Sequence, residues 1–80
     1  MDYKKILTDI ARAIVDTPEE VKVEETVEEN EVKLLLTVAP DDTGMVIGRH
    51  GKIAKAIRTV IKAASANSGK KVIVDIEDQK

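Results

Sequence analysis

Arg49, His50 and Lys52 are set around two glycines in the run Val46-Ile47-Gly48-Arg49-His50-Gly51-Lys52-Ile53, and the chemistry open to that group is the binding of an anion. Glycine lacks a Cβ, so Gly48 and Gly51 can take positive φ and let another chain come close to the backbone. A helix opening after Gly51 adds unpaired N–H groups and the positive end of its dipole. Such a place suits a phosphate. Arg49 can offer it two N–H donors at once and Lys52 a compact charge. His50 reads equally as a solvated loop residue or as a contact to whatever the loop holds.

Other chemistry lacks its parts. His50 is the single histidine and cysteine is absent, while Ser65, Ser68 and the threonines have no base at a recognisable triad spacing, so no enzyme is expected. Glu24, Glu25, Glu28, Glu29 and Glu31 read as a solvated hairpin, because alternation spreads them over two faces and no calcium-loop spacing is present. No metal, other cofactor or small-molecule substrate is expected. Tyr3 is the only aromatic residue, which disfavours a recognition sheet that stacks bases on rings.

The elements that must position the loop follow from periodicity. Tyr3, Ile6, Leu7, Ile10, Ile14 and Val15 form a helical stripe over residues 2–16, with Asp2 able to cap its start and Pro18 forcing a stop near Asp16. From Glu20 the period becomes two, with Val21, Val23 and Val27 on one face; Glu25 falls in the apolar phase, which suggests a bulge, a strand end or an edge position. Glu29-Asn30 reads as a hairpin turn. The next strand, about Glu31 to Ala39, turns Val32, Leu34, Leu36 and Val38 one way and is the best candidate for the central strand, closed by Pro40. Asp41-Asp42-Thr43 offers a cap for a short helix through Val46 and Ile47. A long helix runs from the glycine turn to about Ala66, and a last strand carries Val72, Val74 and Ile76 inward. The order α-β-β-α-α-β predicts an α+β fold: a three-stranded mixed sheet, its first pair antiparallel and its last pair parallel, with three helices on one face.

Eighty residues allow one domain, and its charge is segregated. The net charge is −2, yet Arg49 to Lys62 holds five basic residues (Arg49, Lys52, Lys55, Arg58, Lys62) and no acidic one, whereas Glu19 to Glu31 holds seven glutamates and one lysine. A local positive face beside an acidic remainder predicts a weak, focused binder. No apolar run approaches the roughly 20 residues of a membrane span, and the start leads into no signal-peptide core. A cytoplasmic location without membrane contact is expected.

The run from Val46 to Ile57 resembles the signature of KH domains, which clamp about four nucleotides of single-stranded nucleic acid at a Gly-x-x-Gly loop. With the extra helix and strand (residues 2–28) ahead of the core (31–77), the chain is similar to a single type II KH domain over 1–80, and to the small bacterial KhpA family. The resemblance implies a cytoplasmic single-stranded RNA-binding protein. It further implies an RNA chaperone and post-transcriptional regulator acting with a KhpB partner (also called Jag or EloR), linked to cell elongation, cell shape and cell-wall homeostasis. The clamp it implies is Gly48, Arg49, His50, Gly51 and Lys52, with Lys55 beyond, framed by Val46, Ile47, Ile53 and Ile57. Gly44, Val46, Ile47, Ile53 and Ala54 would build the groove wall, facing the central strand.

The competing reading is a protein–protein interaction module with little RNA affinity. On the long helix Ile53, Ile57, Val60 and Ala64 define the centre of the buried stripe, with Ile61 and Ala54 at one margin and Ala56 and Ala63 at the other. One margin is expected to pack on a second KH domain, as homodimer or as heterodimer with a KhpB-like protein, with Ile61 as the main contact.

Overall fold

The computed structural model describes residues 2–77; Met1 and residues 78–80, the ends of the expected domain, lie outside them. The first helix, α1 (Tyr3–Ile14), starts where Asp2 accepts the N–H of Lys5 at 3.0 Å. It ends two residues earlier than expected, with Val15 already extended, although its N–H still returns to the Ala11 carbonyl at 3.1 Å. Leu7, Ala11 and Val15 are buried, flanked by half-buried Tyr3, Ile6, Ile10 and Ile14. Ala11, too small to mark a stripe in the sequence, sits at its centre.

Strands β1 (Lys22–Val27) and β2 (Glu31–Thr37) pair antiparallel in unbroken register from Lys22↔Thr37 to Val27↔Val32. The Glu28 N–H donates to the Glu31 carbonyl at 2.7 Å and closes the Glu29-Asn30 turn. No residue is extra, so the bulge entertained at Glu25 is absent. Glu25 faces water because β1 is an edge strand. Strand β3 (Lys71–Ile76) runs parallel to β2, and the order β1-β2-β3 makes β2 the central strand. Val23, Val32, Leu34, Leu36 and Val74 turn toward the helices and are all buried.

Between β2 and β3 the chain makes α2 (Thr43–Ile47) and α3 (Lys52–Ala64). Helices α1 and α3 lie on the sheet, and α2 packs against both. The expected cap at Asp41-Asp42-Thr43 does not form: Asp42 makes no side-chain bond to α2. Its carboxylate, 2% exposed, accepts the N–H of Thr17 at 2.9 Å instead, which joins the α1–β1 connection to the start of α2. Proline at 18 fixes the chain direction there, and the donor at Thr17 would otherwise lack a partner.

The buried stripe of α3 is displaced from the one the sequence suggested. Ala54, Ile57 and Ile61 face the core, at 4%, 3% and 0% exposure, whereas Ile53 and Val60 are exposed. Ile57 belongs to both stripes, but Ala54 and Ile61 take the places expected of Ile53 and Val60, which turns the stripe by most of the roughly 100° that one residue subtends. Ile61 is therefore a core residue, packed with Leu7, Leu34 and Leu36 in one cluster.

Candidate nucleic-acid interface

Between α2 and α3 the loop makes one tight turn. Gly48 has φ 76° and ψ 176°, and its N–H closes α2 on the Gly44 carbonyl at 2.8 Å. A Cβ at Gly48 would overlap Ile53 Cγ1 and stand 2.9 Å from the Ile53 nitrogen, so the position excludes any side chain. Arg49–Gly51 form a 3-10 turn with the Gly51 N–H on the Gly48 carbonyl at 3.2 Å. His50 (φ 58°) and Gly51 (φ 73°) are both left-handed, which costs a residue with a Cβ on the order of 1–2 kcal/mol. The backbone thereby doubles back and holds the side chains of Arg49 and His50 out into solvent.

The first turn of α3 begins directly after this loop. Gly51 brings no side chain to cap it, and the Lys52 N–H turns back to the Arg49 carbonyl. Arg49, His50, Lys52 and Lys55 are all exposed, and none forms an ion pair among the described residues. Gly44, one turn earlier on α2, is exposed, and a Cβ there would meet nothing within 4 Å. Four exposed donors, a helix N-terminus and an open approach at Gly44 thus lie on one exposed corner between α2 and α3, an arrangement that can hold a phosphate by charge and by N–H groups.

Not every residue expected at the site lies on its surface. Gly44, Gly48, Arg49, His50, Gly51, Lys52 and Lys55 form the corner, and half-buried Ile47 lies beside it. Val46 and Ala54, expected on the groove wall, are 0% and 4% exposed and belong to the interior; they support the loop from below. Ile53 serves two roles, since its side chain packs against Gly48 yet remains 38% exposed. Arg58 contributes in a way that its sequence position did not reveal. Its Nε–H donates to the Val74 carbonyl at 3.0 Å and fastens α3 to the outer edge of β3. The only sequence signal was its place in the run of cations.

Of the expected contact residues on α3, Ala56 and Ala63 are exposed, while Ile61 and Ala54 are not. The exposed apolar residues are Ile53, Ala56, Val60 and Ala63, spaced 3, 4 and 3 apart and so aligned along one side of the helix.

The model of the KhpA/KhpB KH domain matches residues 4–76. Among curated relatives, a protein of Clostridium acetobutylicum named RNA-binding protein KhpA is 53% identical over 73 residues, covering 91% of this chain and 97% of the relative. A protein of the same name from Clostridium perfringens is 51% identical over the same shares. Another from Bacillus subtilis is 40% identical over 91% of this chain and 90% of the relative.

Proposed function

This chain belongs to the KhpA/KhpB KH-domain family, and from that premise we propose that it binds single-stranded RNA at the Gly48–Gly51 turn. The observation that carries the reading is the turn itself: a backbone shape that excludes a Cβ at Gly48 while holding Arg49, His50 and Lys52 in solvent at the head of α3. Arg49 and Lys52 take the RNA phosphates, His50 makes a hydrogen bond beside them, and Lys55 meets the strand one turn further along. Gly44 and Ile47 give the bases an aliphatic surface, since no aromatic ring is available near the loop. In the cell the protein acts in the cytoplasm as an RNA chaperone and post-transcriptional regulator. Its partner is a KhpB-type KH protein, and its output bears on cell elongation and wall homeostasis.

A second feature favours assembly alongside RNA binding. A monomer leaves Val60 49% and Ile53 38% exposed on the same side of α3, with Ala56 and Ala63 small enough for a second helix to come close. We therefore assign self-association to this ridge, with a KhpB-type domain able to take the place of the second copy.

The test of the RNA reading is Arg49→Asp with His50→Asp, titrated with labelled single-stranded RNA by fluorescence anisotropy. Both side chains are exposed, so the fold should survive and the melting temperature should stay within a few degrees of the parent's. Two carboxylates where a phosphate must sit should weaken binding at least about tenfold. Undiminished binding by the folded variant would move the site elsewhere.

A further inference from the structure

A second group of cations lies at the other end of α3. Residues 43–74 contain no aspartate or glutamate, and beyond the loop their cations continue with Lys62, Lys70 and Lys71. A cleft of about 330 Å³ opens where α3 passes into β3, lined by Lys62, Ser65, Ala66, Lys70, Lys71 and Val72. None of its lining residues is acidic. Lys52, Lys55, Thr59 and Lys62 are spaced 3, 4 and 3 apart, so they form an exposed polar line along the helix from the Gly48–Gly51 turn to this cleft. That line is a different side of α3 from the apolar ridge, being offset by one residue and hence by about 100°.

The cleft is built, and its charges are not already neutralised. Ser68 Oγ accepts the Lys70 N–H at 3.1 Å and donates to the Ser65 carbonyl at 2.8 Å, fixing the turn that carries Lys70. Among the described residues no ion pair involves Lys62, Lys70 or Lys71. The nearest carboxylate by register is Glu31, opposite Lys71, and its Oε2 lies 3.7 Å from Lys33 Nζ. Lys62 alone would be explained by the partial negative charge at the end of α3. Lys70 and Lys71 have no such purpose, lying past the helix and at the head of β3.

We propose that this cleft is a second phosphate-binding site for the same single strand, so that RNA held at the turn runs along α3 and is gripped again beside Lys62 and Lys70. This rests on the RNA reading above and extends it. The 13 residues of α3 separate the two sites by about 20 Å along the helix. A strand confined to the turn spans about four nucleotides and falls short of the cleft, whereas a longer one reaches both. Lys55 and Lys62 mark the path between them, as in grooves that follow a nucleic-acid backbone by charge.

The experiment compares a uridine tetranucleotide with a uridine decanucleotide, both unphosphorylated at the ends, on the parent and on Lys62→Gln with Lys70→Gln. Lys62 and Lys70 are exposed, and a melting curve verifies folding. The expected result is loss of about tenfold in affinity for the decanucleotide, a salt slope shallower by about 1.4, and unchanged tetranucleotide binding, two phosphate contacts having been removed. Arg49→Asp with His50→Asp should weaken both lengths. Unchanged decanucleotide binding by the lysine variant overturns the second site and leaves these lysines to an acidic protein surface. Equal weakening of both lengths also overturns it, by making the lysines act on the turn. A parent that binds neither length overturns the RNA reading itself, and the second site with it.

Discussion

At the scale of single residues the loop concentrates backbone strain where ligand contact is proposed. His50 stands in the left-handed region without a glycine's freedom, so His50→Gly should raise stability by about 1 kcal/mol. For a domain of this size that is an increase of roughly 4–8 °C in melting temperature. Thermal melting would check it, and a fall in Tm would show that the histidine side chain stabilises the turn. Gly48→Ala should act in the opposite sense. Its new Cβ would overlap Ile53 and sit at φ 76° and ψ 176°, so a loss of about 3 kcal/mol or more is expected in urea unfolding. The contrast matters because Gly51→Ala meets no atom within 4 Å and should cost only the left-handed conformation, about 1–2 kcal/mol.

At the scale of elements the tests turn on which side of α3 faces inward. Ile61→Ala should cost about 2–5 kcal/mol as a cavity in the core, whereas Val60→Lys should leave stability within about 0.5 kcal/mol and abolish self-association in light scattering. A folded dimer of the Val60→Lys variant would remove the ridge from the interface. Asp42→Ala should cost about 1–3 kcal/mol, since the Thr17 N–H loses its acceptor in a part-buried site. The elements themselves were legible: branched residues at period two marked β2, and Asp2 and Pro18 bracketed α1. Rotation of α3 was not, because Ile53, Ile57, Val60 and Ile61 crowd one apolar arc that alanines widen on both sides, so the pattern leaves its inward centre open. Only packing against Leu7 and Leu36 chooses among them. Asp42 misled for a related reason, since local spacing suits a cap while its actual acceptor role joins residues 25 apart. The basic residues of the loop are exposed, as its sequence suggested, but Val46 and Ala54 were counted as surface because their burial depends on how the helices pack, which local spacing does not reveal.

For the whole molecule the decisive property is segregated charge rather than net charge. Glutamates crowd the β1–β2 hairpin, and the cations of residues 43–74 lie along α3 and its two ends. Binding at the turn alone neutralises two or three phosphates, so log K should fall with log salt at a slope near −1.5 to −2 for a short strand. A slope beyond about −4 with a short strand would require a much larger basic surface, such as a dimer provides. The turn between α2 and α3 is where RNA is proposed to sit. Amide chemical-shift mapping tests it most directly, by titrating the 15N-labelled protein with single-stranded RNA. The expected result is that the largest shifts fall on Gly44 and on residues 47–55, with those of a longer strand spreading to Lys62 and Lys70 while β1 stays unmoved. Shifts centred on β1 or on the open face of the sheet, with Gly48 to Lys52 unperturbed, would contradict the account.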